Sequence, residues 1–342
     1  MKLPRLLFVL PSTVVQAFVI SPPAASHILV VPTALTTATS TSTRIYAEGG
    51  APQYEKYSAT LSESTRLANY SYLLHITSND ELPIQYEPGH VLALEIGAGE
   101  KNDSLFENPF ERTEKSQKDI DKNDGFMRGP YTVTRASSHS FDIMVKVVGE
   151  KSHRFALASP RTNVLFGGKF KVPIAEGIKD GVKRVVLVST GVGVGPCVGA
   201  IERLLDDDAN IMDLQLLACY REEGDVVYAD HLDDLKANHP RFNWKAIVSQ
   251  ESGRLSASEE NLQALVSSNG TSLLEETHYH LIGNGGMVNE FKSGLEKAGV
   301  PKEQITLEMY FNHRAEVDIE AVDRIASIVS ASHAQTLAAA NT

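Results

Sequence analysis

The chain has 342 residues, 42% hydrophobic and 22% charged, with 43 acidic against 32 basic side chains and a net charge of −11. That is a globular composition with room for two domains, and an acidic chain without a basic stripe argues against a nucleic-acid partner. Cys197 and Cys219 are the only cysteines. Two thiols neither build a disulfide framework nor ligate an iron–sulfur cluster by themselves, so both read as small, buried and inert, and no metal site is expected.

Lys2 and Arg5 precede the apolar run 6–15, and Val15-Gln16-Ala17 reads as a small-residue cleavage site. Residues 1–17 are therefore expected to be a signal peptide, too short to span a membrane as a mature helix. Residues 18–50 follow, rich in Ser, Thr, Ala and Pro and free of acidic residues as far as Ala47, which is transit-peptide composition. The tandem, joined at Ala17-Phe18, resembles the bipartite plastid address of algae with complex plastids. Without that resemblance the same stretch reads as the leader and linker of a secreted protein, against which the lack of cysteine pairs argues.

Over residues 54–175, short segments alternate apolar and polar residues between turns: Tyr70–Ile76, His90–Ile96, Tyr131–Arg135, Phe141–Val148 and Thr162–Phe166. Such spacing predicts an antiparallel β-barrel. Glu100 to Asp124 interrupts it with polar and charged residues, expected as an exposed loop. Gly167-Gly-Lys-Phe170 leads out of the barrel, with Lys169 read as solvated.

Over residues 180–312, strand patterns (Val185–Val188, Leu214–Tyr220, Trp244–Val248, Tyr279–Ile282, Ile305–Tyr310) alternate with helical ones (Val198–Leu205, Ala229–Asn238, Glu259–Val266, Val288–Ala298). That alternation predicts a parallel sheet with helices on both faces and ligands at the C-terminal strand ends. Ser256 with Glu259 is expected to cap the third helix, and Gly299 and Pro301 to stop the fourth. The first strand ends at Thr190 in Gly191, Gly193 and Gly195, closed by Pro196. Glycines let backbone approach a bulky anion, and the following helix offers free N–H groups, so this loop reads as a pyrophosphate cradle. The acidic residue that ordinary dinucleotide folds carry after the second strand is missing. Later loops bring Ser249-Gln-Glu251 with Gly253-Arg254, then Gly283-Asn-Gly-Gly-Met287.

These stretches, in this order, resemble the ferredoxin–NADP+ reductase family over about Tyr54 to Asn312. The glycine loop reads as G-x-G-x-G-P, and Tyr86-Glu-Pro-Gly-His90 as the family's P-G-Q with His90 for Gln. Arg128-Gly-Pro-Tyr-Thr132 is similar to R-x-Y-[ST], Gly149-Glu-Lys-Ser152 to G-x-x-S, Gly283–Met287 to C-G-[PN]-x-x-M, and Glu308-Met-Tyr-Phe-Asn312 to the last strand. The resemblance implies FAD on the barrel and NAD(P)H on the second domain. By it Tyr131 and Thr132 are the catalytic pair, stacking on the isoalloxazine and contacting its N5. Arg128, Gly149 and Ser152 hold the flavin pyrophosphate. Thr190, Gly191, Gly193, Gly195 and Pro196 cradle the nicotinamide dinucleotide, Ser249, Gln250 and Arg254 meet its 2′ end, and Gly283, Asn284 and Met287 lie beside the nicotinamide. The residue types suit the chemistry: an aromatic face stacks on a flat ring, a hydroxyl near N5 favours hydride acceptance, and an arginine forks onto phosphate.

The departures matter as much. Arg128 stands one residue too far from Tyr131, so either a bulge absorbs Gly129 or Arg135 does the phosphate work. Ile282 replaces a frequent Cys, and Val192 a frequent Thr. Gln250 replaces the arginine of NADP-specific members, with Arg254 or Arg221 either substituting or merely solvated. NADH is therefore expected to be accepted at least comparably to NADPH, although a plastid address pulls the other way. Residues 313–342 are expected to form a docked helix, with Val322, Ile325, Ala326 and Val329 on one face, and Tyr310 or Phe311 to lie near the flavin or in the core.

The implied activity is an FAD-dependent NAD(P)H oxidoreductase that passes electrons to an unidentified acceptor, a small molecule or a redox protein such as ferredoxin. The alternative is a flavin- or nucleotide-binding regulatory or assembly module with little turnover, motivated by Ile282, Gln250 and the shifted Arg128. A dehydrogenase using the second domain alone would need an acid–base residue that the sequence does not display.

Overall fold

The computed structural model describes residues 54–80, 84–99, 110–207, 210–267 and 272–340. The expected signal and transit peptides lie outside the described residues, as do positions 100–109 of the polar insertion. Residues 53–342 form one compact unit.

Its first half is a closed antiparallel barrel. Strands β1 (Lys56–Ala68), β2 (Ser71–Ser78), β3 (Val91–Gly97), β4 (Phe126–Ala136), β5 (Ser140–Lys146) and β6 (Thr162–Gly167) close in the order β1-β2-β5-β4-β3-β6. Alternation puts Leu92, Leu94 and Ile96 of β3 into a core shared with Leu61, Ile76, Val133 and Ile143. Strand β1 escapes the pattern reading because Ser, Thr and Glu fill nearly half of it, with only Ala59 and Leu61 fully buried. The insertion is not simply an exposed loop, because part of it is helix α1 (Glu114–Lys122), with Ile120 buried and Thr113 Oγ1 accepting from the Ser116 N–H at 3.1 Å. Helix α2 (Glu150–Ala156) follows β5. Glu150 binds the insertion to α2, accepting from Arg112 Nε at 2.7 Å and from the Ser116 hydroxyl at 3.2 Å.

The second half is a five-stranded parallel sheet. Chain order runs β7 (Arg184–Thr190), α3 (Val194–Asp207), β8 (Asp213–Tyr220), α4 (Ala229–Asn238), β9 (Phe242–Val248), the single turn α5 (Ser249–Ser252), α6 (Glu259–Val266), β10 (Thr277–Asn284), α7 (Gly285–Ala298), β11 (Ile305–Phe311) and α8 (Ile319–Ala340). The strand order is β11-β10-β7-β8-β9. Alternate residues of β7 serve opposite faces: Val185 and Leu187 join the core under α3 and α4, Val186 and Val188 the core under α6, α7 and α8. Helix α8 buries Val322, Ile325, Ala326 and Val329 as its periodicity predicts. The cap of α6 is Ser258, whose Oγ accepts from the Asn261 N–H at 3.1 Å, and not Ser256, whose hydroxyl donates to Glu290 at 3.0 Å.

Strand order reverses between β7 and β10, so their connections leave in opposite directions and open a crevice at the C-terminal strand ends. The barrel docks beside this crevice through α3. A Cβ at Gly195 would lie 2.8 Å from Thr134 Oγ1, and one at Gly199 would collide with the Thr134 carbonyl oxygen. Arg135 of β4 clamps Glu202 of α3 with two donors, at 2.7 and 2.6 Å, and Lys146 reaches Asp225 at 2.9 Å.

Candidate functional site

A cavity of about 1710 Å³ runs from the barrel edge into the crevice. The barrel contributes Tyr131, Thr132, Gly149 and Ser152; the sheet contributes Thr190, Gly191, Ser249, Arg254, Asn284 and Met287. Those ten expected site residues are thus brought into one space. Arg128, Gly193, Gly195, Pro196, Gln250 and Gly283 do not line it.

Tyr131 is held edge-on against Phe155 of the barrel core at 5.2 Å between ring centroids, and lines the cavity. Beside it the Thr132 hydroxyl donates to Glu308 Oε1 of β11 at 2.5 Å. Burial pushes the Glu308 carboxyl above the usual range, against the Thr132 hydrogen bond and the charge of Lys171, which lower it. Lys171 donates to the Leu307 carbonyl at 3.0 Å and also faces the cavity. Tyr310 and the half-exposed Phe311 both line the space. Glu308 was not foreseen as a site residue. Its signal was a carboxylate inside the otherwise apolar run Leu307-Glu-Met-Tyr-Phe311, because a charge in a buried strand demands a partner.

At the N-terminus of α2, Ser152 Oγ closes its own turn, accepting from the Val148 and Gly149 N–H groups at 2.9 and 3.1 Å. His90 acts in the same local way, accepting from the Glu87 N–H through Nδ1 at 2.8 Å. Lys169 is exposed, 5.7 Å over the Tyr86 ring.

At the crevice the two loops are tied together. Thr190 Oγ1 accepts from the Asn284 N–H at 2.7 Å, and Asn284 Oδ1 accepts from the Gly286 N–H at 2.8 Å, which starts α7. Gly283 has φ +124°, and a Cβ there would collide with Thr190 Oγ1. The three loop glycines divide their duties. Gly191 has φ +54° with open space before it, Gly193 lies against the Ile282 carbonyl, and Gly195 against the barrel. So of the three only Gly191 lines the cavity.

Further along, Arg221 and Arg254 flank Ser249 on the cavity wall, while Gln250 is exposed outside it. Arg254 lies close enough to Glu290 to lower that buried carboxyl against the rise imposed by burial. Ile282 is fully buried. Burial pushes the Cys219 thiol up to about 12 and that of Cys197 higher still, which disfavours the thiolate at both.

Residues 187–293 match the family model described as the oxidoreductase NAD-binding domain. No curated protein matches the sequence. Solved structures share the fold. The FAD/NAD-binding domain of a nitric oxide dioxygenase from Vibrio cholerae is 17% identical, covered to 98% by 74% of this chain, with a TM-score of 0.55. A ferredoxin NADP+ reductase from Neisseria gonorrhoeae, with bound FAD and NADP, is 16% identical, covered to 100% by 76% of this chain, with a TM-score of 0.55. The cytochrome b5 reductase domain of Ulva prolifera nitrate reductase is 17% identical, covered to 97% by 74% of this chain, with a TM-score of 0.53. Among the described residues no helix is long and apolar enough to cross a membrane.

Proposed function

We propose that this chain is an FAD-dependent NAD(P)H oxidoreductase. The observation that carries the reading is the single cavity joining the Tyr131–Thr132 edge of the barrel to the Thr190–Asn284 crevice of the sheet. Its volume exceeds the few hundred to about 1,000 Å³ of a one-ligand pocket, as two dinucleotides require. The residues fit both groups: an aromatic face and a hydroxyl on the barrel side, open glycine backbone at Gly191, and basic side chains at the far ends.

FAD held on the barrel side would supply the hydride acceptor for a reduced nicotinamide held in the crevice, which leaves the protein the task of positioning and electrostatics. Tyr131, immobilised by Phe155, presents its ring without first losing rotamer freedom. Thr132 keeps a hydroxyl beside it, and Glu308 fixes where that hydroxyl points. Thr190 and Asn284 hold the two crevice loops at one spacing. Arg221 and Arg254 offer donors to a 2′-phosphate, which favours NADPH use despite Gln250. Similar domains occur in a flavohemoglobin with bound FAD and haem, in a phthalate dioxygenase reductase that passes electrons to a [2Fe-2S] group, and in a ferredoxin NADP+ reductase, which supports an acceptor of that broad class for this chain. The plastid address is part of the proposal and rests on residues 1–50 alone; a fluorescent fusion of that segment tests it.

Purified protein supplied with FAD should show the yellow flavin spectrum, bleach on anaerobic addition of NADH or NADPH, and recolour with ferricyanide. A protein that binds no flavin, or one whose bound flavin neither nucleotide bleaches, overturns the reading. The second outcome would favour a binding module.

A further inference from the structure

The geometry points to Lys151 as the cation that meets the diphosphate of the flavin dinucleotide, in the place where the motif expects arginine; this rests on the FAD reading above. Side chains alternate along a strand. An arginine two residues before Tyr131 would share its face of β4, and one three residues before it looks the opposite way. The pairing of β3 with β4 runs Leu92↔Tyr131, Ala93↔Pro130, Leu94↔Gly129 and Glu95↔Arg128 without a break. No bulge therefore returns Arg128 to the Tyr131 face. It stands with its cross-strand neighbour Glu95, Nε to Oε1 at 3.7 Å, and 4.7 Å over the Tyr54 ring. Arg135, the other candidate, is clamped on Glu202 and lies over the Tyr228 ring. Neither lines the cavity.

The position two residues before Tyr131 is Gly129, which has no side chain. A Cβ built there would sit 2.5 Å from Lys151 Nζ and 3.3 Å from Tyr131 Cε2. The ammonium group of α2 thus occupies the volume from which a motif arginine would project, beside the ring read as the flavin's stacking partner. Lys151 lines the cavity. Its one hydrogen bond among the described residues goes to the Arg128 carbonyl at 3.1 Å, which leaves two of its three donors unused. The adjacent Glu150 is held by Arg112 and Ser116. Burial lowers the Lys151 amine, and Asp119 only partly offsets that. A half-buried ammonium with no carboxylate bonded to it is stabilised by an anion brought to it. Glycine at 129 and lysine at 151 are then one device: the missing side chain makes room for the charge that replaces it.

The test is flavin affinity. Full-length protein stripped of flavin is titrated with FAD, FMN and riboflavin, following quenching of flavin fluorescence. Lys151→Met and Lys151→Gln should weaken FAD by roughly tenfold to a hundredfold, the scale of one charge-assisted hydrogen bond. Riboflavin, which has no phosphate, should change by less than about twofold. Arg128→Met should leave FAD within about twofold of the parent. Gly129→Arg should restore FAD binding to Lys151→Ala. Unchanged FAD affinity in both Lys151 variants, with a loss in Arg128→Met or Arg135→Met, overturns the assignment; so does an equal loss of FAD and riboflavin. If the parent binds none of the three flavins, the FAD reading itself fails and takes this assignment with it.

Discussion

Thr132 of the barrel and Glu308 of the last sheet strand, 176 residues apart in sequence, share a buried hydrogen bond of 2.5 Å at the wall of the cavity. Each half of the molecule supplies one partner. The hydroxyl's direction is therefore set by how the two halves are docked.

Thr132→Ala and Glu308→Leu should each slow anaerobic flavin reduction by about tenfold to a hundredfold, the range for a hydrogen bond to a charged group. The double variant should be little worse than either single one, because the two residues act as a unit. Glu308 should also impose a titration above the ordinary carboxylate range, since burial raises it. A pH profile of the reduction rate should lose that step in Glu308→Gln. Additive losses in the double variant would separate the two residues.

The loop glycines should fail in different ways. Gly191→Val places a β-branched residue at φ +54° in open space facing the cavity; the turn is strained, and the variant should raise the KM for reduced nicotinamide with little change in flavin content. Gly195→Val drives its side chain into Thr134 and Met144. It should cost about 1–3 kcal/mol of stability, as overpacking does, and shed flavin on heating. Thermal melts and steady-state kinetics of the two variants separate these outcomes.

Arg221→Ala and Arg254→Ala should each remove roughly tenfold or more of kcat/KM with NADPH, the scale of one bond to a charged group, and leave NADH nearly untouched. Gln250→Arg should alter the coenzyme ratio less than either, because position 250 is exposed beyond the cavity wall. A large gain of NADPH preference in Gln250→Arg would place the 2′ site there instead.

Acid should unfold the sheet through two histidines. His278 and His280 of β10 are buried, and both meet Thr306 Oγ1, at 2.8 and 2.9 Å. Burial first, then Lys179 for His278, and His278 and Lys171 for His280, bring them down to about 4 and about 3 from 6.5. Between those values the unfolded chain binds more protons than the folded one. Stability from this source is complete above pH 6.5 and is lost as pH falls toward about 3. The melting temperature should drop between pH 7 and pH 4.5, and by less in a His278→Gln/His280→Gln variant. An unchanged slope in that variant would assign the acid sensitivity elsewhere.

The sequence made the second half legible because each signal there is local. A β-branched run before Gly191 announces β7, and Gly299, at φ +99°, ends α7 where it was expected. The barrel was legible as a class but not strand by strand, since β1 buries too few large apolar side chains to announce itself. Arg128 illustrates the deeper limit. Its motif is intact but for one residue, yet one residue on a strand reverses the face, and only the unbroken register with β3 shows that no bulge corrects it. The charge standing over Gly129 comes from α2, twenty-two positions further along the chain, where no local pattern links the two. Ser256 is a similar case: a sound capping residue by spacing, drawn away by Glu290 of another helix.

Helix α3 begins at the glycine turn of the nucleotide crevice and runs directly across the barrel, where Gly199 accepts the Thr134 carbonyl into the space of its missing side chain. The two halves are therefore not interchangeable parts. Grafting this sheet onto a foreign barrel would demand glycine-sized gaps at two successive levels of α3 and a matching ridge on the new partner. A chimera lacking either would tilt the helix and, with it, the mouth of the crevice. Recombination between proteins of this architecture should succeed when the crossover falls before β4 or after α3, keeping that ridge and those gaps from a single parent.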